Sequence, residues 1–346
     1  MSISRRDLLK LAGAAGAATV VPGISRAASA EKKDVIIAVG GQALIYYLPL
    51  SIARDLHYFK DEGLNVKVMD FAGGSKALQA VVGGSADVVS GAFEHTIFLQ
   101  VKGQMYRTFA QQGRAPMMVL GVSTKTMPNY KSPADLKGKK IGVTAPGSST
   151  NMMVSFFLAK HGLKANDVSY IGVGAGQGAI TALRTGQIDA ICNVDPVIST
   201  LVHAKELKVI ADTRTLKDTR DIFGGDMPAG CLYASQKFID ENPKTTQLLA
   251  NAIVRADRWI QENSIDKIAA TVPKQYLLGD PDLYKLALKA NMQALSPDGL
   301  VPAGGPETAL KALAAYVPHF QADKIDISKV WTNAYALKAD KKYPHA

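Results

Sequence analysis

The chain has 346 residues, of which 47% are hydrophobic and 20% charged, with a net charge of +10. That length suits about two domains of ordinary size. The basic residues are scattered, the densest run being Lys137-Gly138-Lys139-Lys140, and no basic stripe interleaves with aromatics as nucleic-acid binding requires.

In chain order the first feature is a leader. Ser4-Arg5-Arg6-Asp7-Leu8-Leu9-Lys10 is close to the twin-arginine export consensus; a weakly apolar Ala/Gly stretch and the small-residue site Ala28-Ser29-Ala30 follow. The stretch is shorter than the roughly 20 residues that span a bilayer, so residues 1–30 read as a signal that is removed rather than an anchor. They carry four Lys/Arg and one Asp, so the exported chain keeps a net charge of +7. The expected location is the periplasm.

Residues 35–39 read as the first strand, and Gly40-Gly41-Gln42 as the loop at its carboxyl end. A helix is predicted over 49–59, with Pro49 in its first turn where a missing N–H costs nothing. A strand over 66–69, a helix over 93–100 and a long strand over 117–122 follow. Ser132 is a cap, Pro133 a first helical residue and Gly138 the stop before another strand. Gly147-Ser148-Ser149-Thr150 opens a helix whose Met152, Met153, Phe156 and Phe157 read as core. Asp195-Pro196 opens a further helix, and Val209-Ile210 closes a short strand. Around 230–234 the chain is expected to return to the first lobe, and everything after Ser235 reads helical. There Leu248, Leu249, Ala252, Ile253, Ala256, Trp259 and Ile260 recur at helical spacing as a core-facing stripe.

The chain also repeats itself. Residues 73–89 align without a gap on 175–191, with Gly74/Gly176, Ala77/Ala179, Ala80/Ala182, Gly84/Gly186 and Asp87/Asp189 identical. Each copy reads as a Gly-rich turn, an amphipathic helix, a Gly stop and a short buried strand. Two similar α/β lobes create a cleft, where small ligands bind. The expected division is 1–30 leader, 31–119 first lobe, 120–229 second lobe and 230–346 return to the first, with two connectors acting as a hinge.

Chemical motifs are sparse. Cys192 and Cys231 sit in apolar runs and read as two buried free thiols. The six histidines stand apart, and no metal-ligand spacing, nucleophile elbow or Walker loop occurs. Gly172-Val173-Gly174-Ala175-Gly176-Gln177 falls short of a dinucleotide fingerprint at its third glycine. No catalytic residue, metal or cofactor is therefore expected. What remains are loops that open helices, at 73–75, 147–150 and 174–177, whose amides and helix dipoles make anion seats.

The segment Ser132-Pro133-Ala134-Asp135-Leu136-Lys137-Gly138-Lys139-Lys140-Ile141-Gly142-Val143, the helix start at 147–150 and the two Gly-x-x-Asp strands resemble periplasmic solute-binding proteins of ABC importers. Within them the chain is similar to the nitrate/sulfonate/taurine group, which includes binders of thiamine-pyrimidine precursors. The resemblance implies a type II periplasmic-binding-protein fold: two doubly wound α/β lobes on a two-strand hinge, closing like a Venus flytrap. It implies a non-enzymatic monomer that delivers a small molecule to an ABC permease and its ATPase subunits in the inner membrane. It carries the binding role onto the loops at 40–43, 73–75, 91–95, 147–150 and 193–196.

On that reading Ser75, Ser148, Ser149 and Thr150 donate to ligand oxygens, with Gly41, Gly74 and Gly147 letting the backbone approach. Gln42, His95, Gln177 and Asn193 set orientation, and Glu94 or Asp195 accepts from a ligand N–H or O–H. These loops hold no Arg or Lys apart from Lys76 at the edge of one, and two ionised acids would repel an anion. The expected ligand is an anion of sulfonate, taurine, nitrate or carboxylate type held by amides, or else a neutral, aromatic or pyrimidine molecule. An exported enzyme on the same fold, or a sensor presenting its ligand to a membrane kinase, are the rival functions.

Overall fold

The structure, a computed structural model, describes residues 30–344, so the expected leader lies outside the described residues. Ten strands form two mixed five-stranded sheets. The first contains β1 (Asp34–Gly40), β2 (Asn65–Phe71), β3 (Val88–Ala92) and β4 (Tyr106–Gln111). The second is built from β5 (Met118–Ser123), β6 (Lys140–Val143), β7 (Ser169–Gly172), β8 (Ala190–Val194) and β9 (Leu207–Asp212). The chain then returns with β10 (Gly230–Ser235) to complete the first.

The strand orders are β2-β1-β3-β10-β4 and β7-β6-β8-β5-β9. Within each sheet four strands run in one direction, and β10 or β5 runs antiparallel to both its neighbours. Each antiparallel strand is the first one after a crossing between sheets. β5 therefore belongs to the second sheet from Met118 on, two residues ahead of the expected boundary; an unbroken apolar run does not reveal which sheet it joins.

The repeated aspartate has the same task in both copies. Asp87 accepts a bond from the Ile36 amide at 2.9 Å, while its own amide donates to the Ile36 carbonyl at 2.9 Å. Asp189 pairs with Lys140 in the same way, at 3.0 and 2.8 Å. Each carboxylate seals the start of the parallel strand beside it, β1 or β6, where the ladder leaves a donor over.

The helix expected over 49–59 is two pieces, Leu48–Asp55 and Tyr58–Asp61. His57 between them has φ 61, a left-handed conformation that a continuous α-helix excludes. After β10 the chain is helical. In the 20-residue helix Pro243–Glu262 the buried Leu249, Ala252, Ile253, Ala256 and Ile260 form one face. The helix packs on Leu48–Asp55 and on Ala334–Lys342, the latter through Val254, which clusters with Ala336 and Ala339.

Two connectors, 112–117 and 213–229, join the sheets side by side. Gly113 pairs with Ala229 and Gly230 at 3.0 Å each, and the Met117 amide donates to the Thr213 carbonyl at 3.1 Å. Cys192 and Cys231 are buried and free, one in each sheet. Among the described residues no helix is long and apolar enough to cross a membrane.

Candidate functional site: the cleft between the lobes

The cleft lies where the carboxyl ends of β1, β3, β6 and β8 face one another, the usual ligand position in open α/β sheets. The helix Gly74–Val82 starts on the first-lobe side and the helix Ser149–Lys160 on the other. The lobes touch here. The Ser75 amide donates to the Ser148 hydroxyl at 3.0 Å, that hydroxyl donates to Ser75 Oγ at 3.2 Å, and the Ser75 hydroxyl donates to the Pro146 carbonyl at 2.9 Å. The Ile45 amide crosses to the Asp195 carbonyl at 3.0 Å.

Two chambers share this cleft. The smaller is polar, and Gly40, Tyr47, Gly74, Thr144, Ser149 and Thr150 are among its walls. The first amides of a helix have no partner within it, and those of Gly74, Ser149 and Thr150 make no other backbone or side-chain bond. Three donors from two lobes thus face one space. Thr150 Oγ1 is held by the Thr144 amide at 3.1 Å and the Thr144 hydroxyl at 3.0 Å, which fixes the helix start.

The second chamber is walled by Met118, Met152, Met153, Phe156, Phe223 and Tyr316 among others. Tyr46 and Ser149 line both. Glu94, 5% exposed, is the one charged side chain in the apolar wall. Burial pushes its carboxyl up to about 7, opposed only by its own amide, because the charged form loses hydration without gaining a cation. The Tyr46 hydroxyl is buried with no partner. His95, next in sequence, bonds through Nδ1 to the Tyr233 hydroxyl at 3.2 Å, and burial depresses it to about 4.

The candidate residues divide accordingly. Gly74, Ser149 and Thr150 line the polar chamber and Glu94 the apolar one, while Ser75 and Ser148 join the lobes beside them. His95 lies under Gly74, and Gly147, with φ 80, donates its amide to the Asn151 side chain at 2.9 Å.

The others are engaged elsewhere. The Gly41 and Gln42 amides both donate to the Asp70 carboxylate at 2.9 Å, although Gln42 Nε2 is buried and unpartnered. Asn193 bonds the Gly174 carbonyl at 3.1 Å and the Val194 amide at 2.9 Å. Gln177 is exposed and lines neither chamber. The Asp195 carboxylate accepts from the Ser199 amide, Asn291 and Arg214, at 2.7, 2.7 and 3.3 Å. Its acceptor capacity is taken up by the second lobe and the C-terminal helices.

The Met/Phe helix packs into the core as its spacing suggests, with Met152 against a second core cluster. Met153 and Phe157 are core, but Met152, Met153 and Phe156 also form a chamber wall. A ligand pocket and a core make the same demand on helical spacing. Tyr46, Tyr316, Phe223 and Met227 were missed altogether; the adjacent Tyr46-Tyr47 just beyond the first-strand loop is the one local signal.

The two sheets and the cleft between them make the periplasmic-binding-protein fold. The chain belongs to the NMT1-like family, whose model matches residues 29–273, and a twin-arginine translocation signal matches residues 2–22. The signal directs the protein to the periplasm. A solved structure from Bordetella bronchiseptica RB50 is 68% identical, with a TM-score of 0.91 over 92% of this chain and 100% of that one. The alkanesulfonate-binding protein SsuA from Xanthomonas axonopodis pv. citri, bound to MOPS, shares the fold at 19% identity, with a TM-score of 0.67 over 88% of this chain and 100% of that one. The chain is also similar to the 4-amino-5-hydroxymethyl-2-methylpyrimidine phosphate synthase of Aspergillus parasiticus. That likeness is 25% identity over 247 residues, 68% of this chain and 69% of the relative.

Proposed function

We propose that the protein captures a small organic molecule between its lobes and passes it, unconverted, to an inner-membrane permease driven by ATPase subunits. The single observation that carries this reading is the set of unpartnered amides, Gly74 from one lobe and Ser149 and Thr150 from the other, facing one chamber. An oxygen-bearing head, carboxylate or sulfonate in type, satisfies donors from both lobes at once. It therefore binds the closed arrangement better than an open one and shifts the equilibrium toward it. The division into two lobes about the connectors at 112–117 and 213–229 is part of the same proposal.

The test is a thermal-shift panel on exported protein that has been unfolded and refolded to strip bound molecules. The panel holds nitrate, bicarbonate, taurine, alkane- and arenesulfonates, aromatic carboxylates and pyrimidines. A ligand at a hundred times its Kd stabilises by about 2.7 kcal/mol. One class raising the midpoint and recovered unchanged supports capture; a silent panel overturns it.

A second reading, an exported enzyme, is favoured by the adjacent buried Glu94 and His95, whose values are pushed to about 7 and about 4 by burial. Such separation is a mark of acid–base pairs. Mass spectrometry of the same incubations decides between the two, since only the enzyme consumes its hit.

A further inference from the structure

The apolar chamber carries the capture reading one step further, to the class of ligand. Among the residues that wall it there is no Lys, Arg or His, and Glu94 is the one ionisable acid. The Glu94 carboxylate is bonded only by its own amide, and the buried hydroxyl of Tyr46, a residue that lines both chambers, is unpartnered. Three kinds of occupant can be compared. A second anionic group beside Glu94 would meet a like charge in a poorly screened site whenever the carboxyl is ionised, and would hold the carboxyl protonated. A purely apolar body would desolvate Glu94 and Tyr46 without replacing their lost water, at roughly 1–3 kcal/mol per group. A body with an N–H or O–H satisfies Glu94 while its carbon skeleton lies against Met152, Met153, Phe156 and Phe223, where sulfur and ring faces suit an aromatic ring.

We propose that Glu94 is a specificity-determining residue that reads a hydrogen-bond donor on the ligand. The ligand class is then an amphipathic molecule with an oxygen-bearing head on the Gly74, Ser149 and Thr150 amides and an apolar body bearing an N–H or O–H. Nitrate leaves the apolar chamber unfilled, and a dianion places charge against Glu94. This inference rests on the capture reading and adds the chemistry of the far chamber to it. A site built around a buried hydrogen bond discriminates strongly against the analogue that lacks the donor.

The experiment is isothermal titration of refolded wild-type protein, Glu94→Gln and Glu94→Leu with one matched set. The set is benzoate, 3- and 4-hydroxybenzoate, 3- and 4-aminobenzoate, and terephthalate. For wild type the best donor-bearing benzoate is expected to bind at least tenfold more tightly than benzoate or terephthalate. Glu94→Gln, which retains an acceptor, keeps that order with a smaller margin, and Glu94→Leu reverses the preference between benzoate and the donor-bearing probes. Melting curves of the two variants confirm that each is folded.

Benzoate or terephthalate binding as tightly as the donor-bearing probes, or Glu94→Leu leaving the order intact, overturns the assignment. So does silence of the whole aromatic set. If nitrate, taurine or an alkanesulfonate then binds, capture stands and only the ligand class falls; if those are silent too, the capture reading falls with it.

Discussion

The Ser75 amide nitrogen lies 3.0 Å from the Ser148 hydroxyl oxygen, across the cleft between the two lobes. Both residues open helices, so a donor left over from one helix start is satisfied by the cap position of the other. The bond exists only while the lobes touch. Ser148→Ala removes it at a net of roughly 0.5–1.5 kcal/mol, and that loss falls on the closed form. We expect the tightest binder in the panel to lose about two- to tenfold in affinity, by titration calorimetry, while the melting midpoint of the ligand-free protein stays put. An unchanged Kd removes Ser148 from the closure contact.

Gly73 makes a sharper test of closure. Its φ of −173 is extended backbone open to any residue, so alanine is tolerated locally. A Cβ there meets the Ala145 Cβ at 2.9 Å, the Ala145 amide nitrogen at 3.0 Å and Ser148 Oγ at 3.0 Å, all on the opposite lobe. Gly73→Ala should therefore fold normally and bind at least tenfold more weakly, because the lobes cannot seat. Small-angle scattering with saturating ligand is expected to show a larger radius of gyration than wild type. Gly40→Ala is the control that fails differently. Its Cβ falls 2.2 Å from the backbone of Gly73 and Gly74 within its own lobe, so it should lose stability rather than closure.

How much of this was legible follows from the range over which each signal acts. The repeat was readable because Asp87 and Asp189 each bond the strand beside them at an equivalent place in two copies of one unit. Two matching copies advertise a shared local requirement. The helix starts at 74–75 and 148–150 were readable because caps and glycine turns are local too. What Gly41, Gln42, Asn193 and Asp195 bond to was not. The Asp70 carboxylate that takes the first two amides, and the Asn291 and Arg214 side chains that take Asp195, are far away in sequence. Nothing around Asp195-Pro196 distinguishes an acid facing a ligand from one that ties a lobe to a distant helix. The apolar chamber was hidden for a related reason. Its wall gathers Tyr46, Glu94, Met152, Phe223 and Tyr316 from five separate segments, each of which reads alone as ordinary core.

The repeated aspartates should matter for stability and not for binding. Asp87→Ala leaves the Ile36 amide without its acceptor, and Asp189→Ala does the same to Lys140. Each substitution is expected to cost about 1–3 kcal/mol, a fall of several degrees in midpoint by calorimetry. Asp87 has the additional Lys32 partner at 2.7 Å, but that lysine is half exposed and adds little. The affinity of the folded protein should be unchanged in both variants. A loss of binding without loss of stability would move these residues from the frame of the lobes into the site.

Glu94 makes stability depend on pH in a direction opposite to that of a salt-bridged acid. Burial raises its carboxyl from 4.5 to about 7 in the folded chain. Between those values the native state holds a proton that the unfolded state has released. Stability is therefore full below pH 4.5 and falls as pH rises through 7. His95 acts the other way, since burial lowers it from 6.5 to about 4. The unfolded chain takes up the proton first, so stability is full above pH 6.5 and falls as pH drops toward 4. Glu94→Gln isolates the first effect, because glutamine keeps the shape and cannot ionise. The variant should gain on wild type as pH rises from 5 to 8, by an amount on the order of 3 kcal/mol, while the acid-side loss due to His95 persists in both. Urea denaturation of the ligand-free proteins at several pH values measures the difference directly. A gap between the two proteins that is the same at pH 5 and pH 8 would mean that Glu94 titrates alike folded and unfolded, with the chamber wet enough to hydrate its charge.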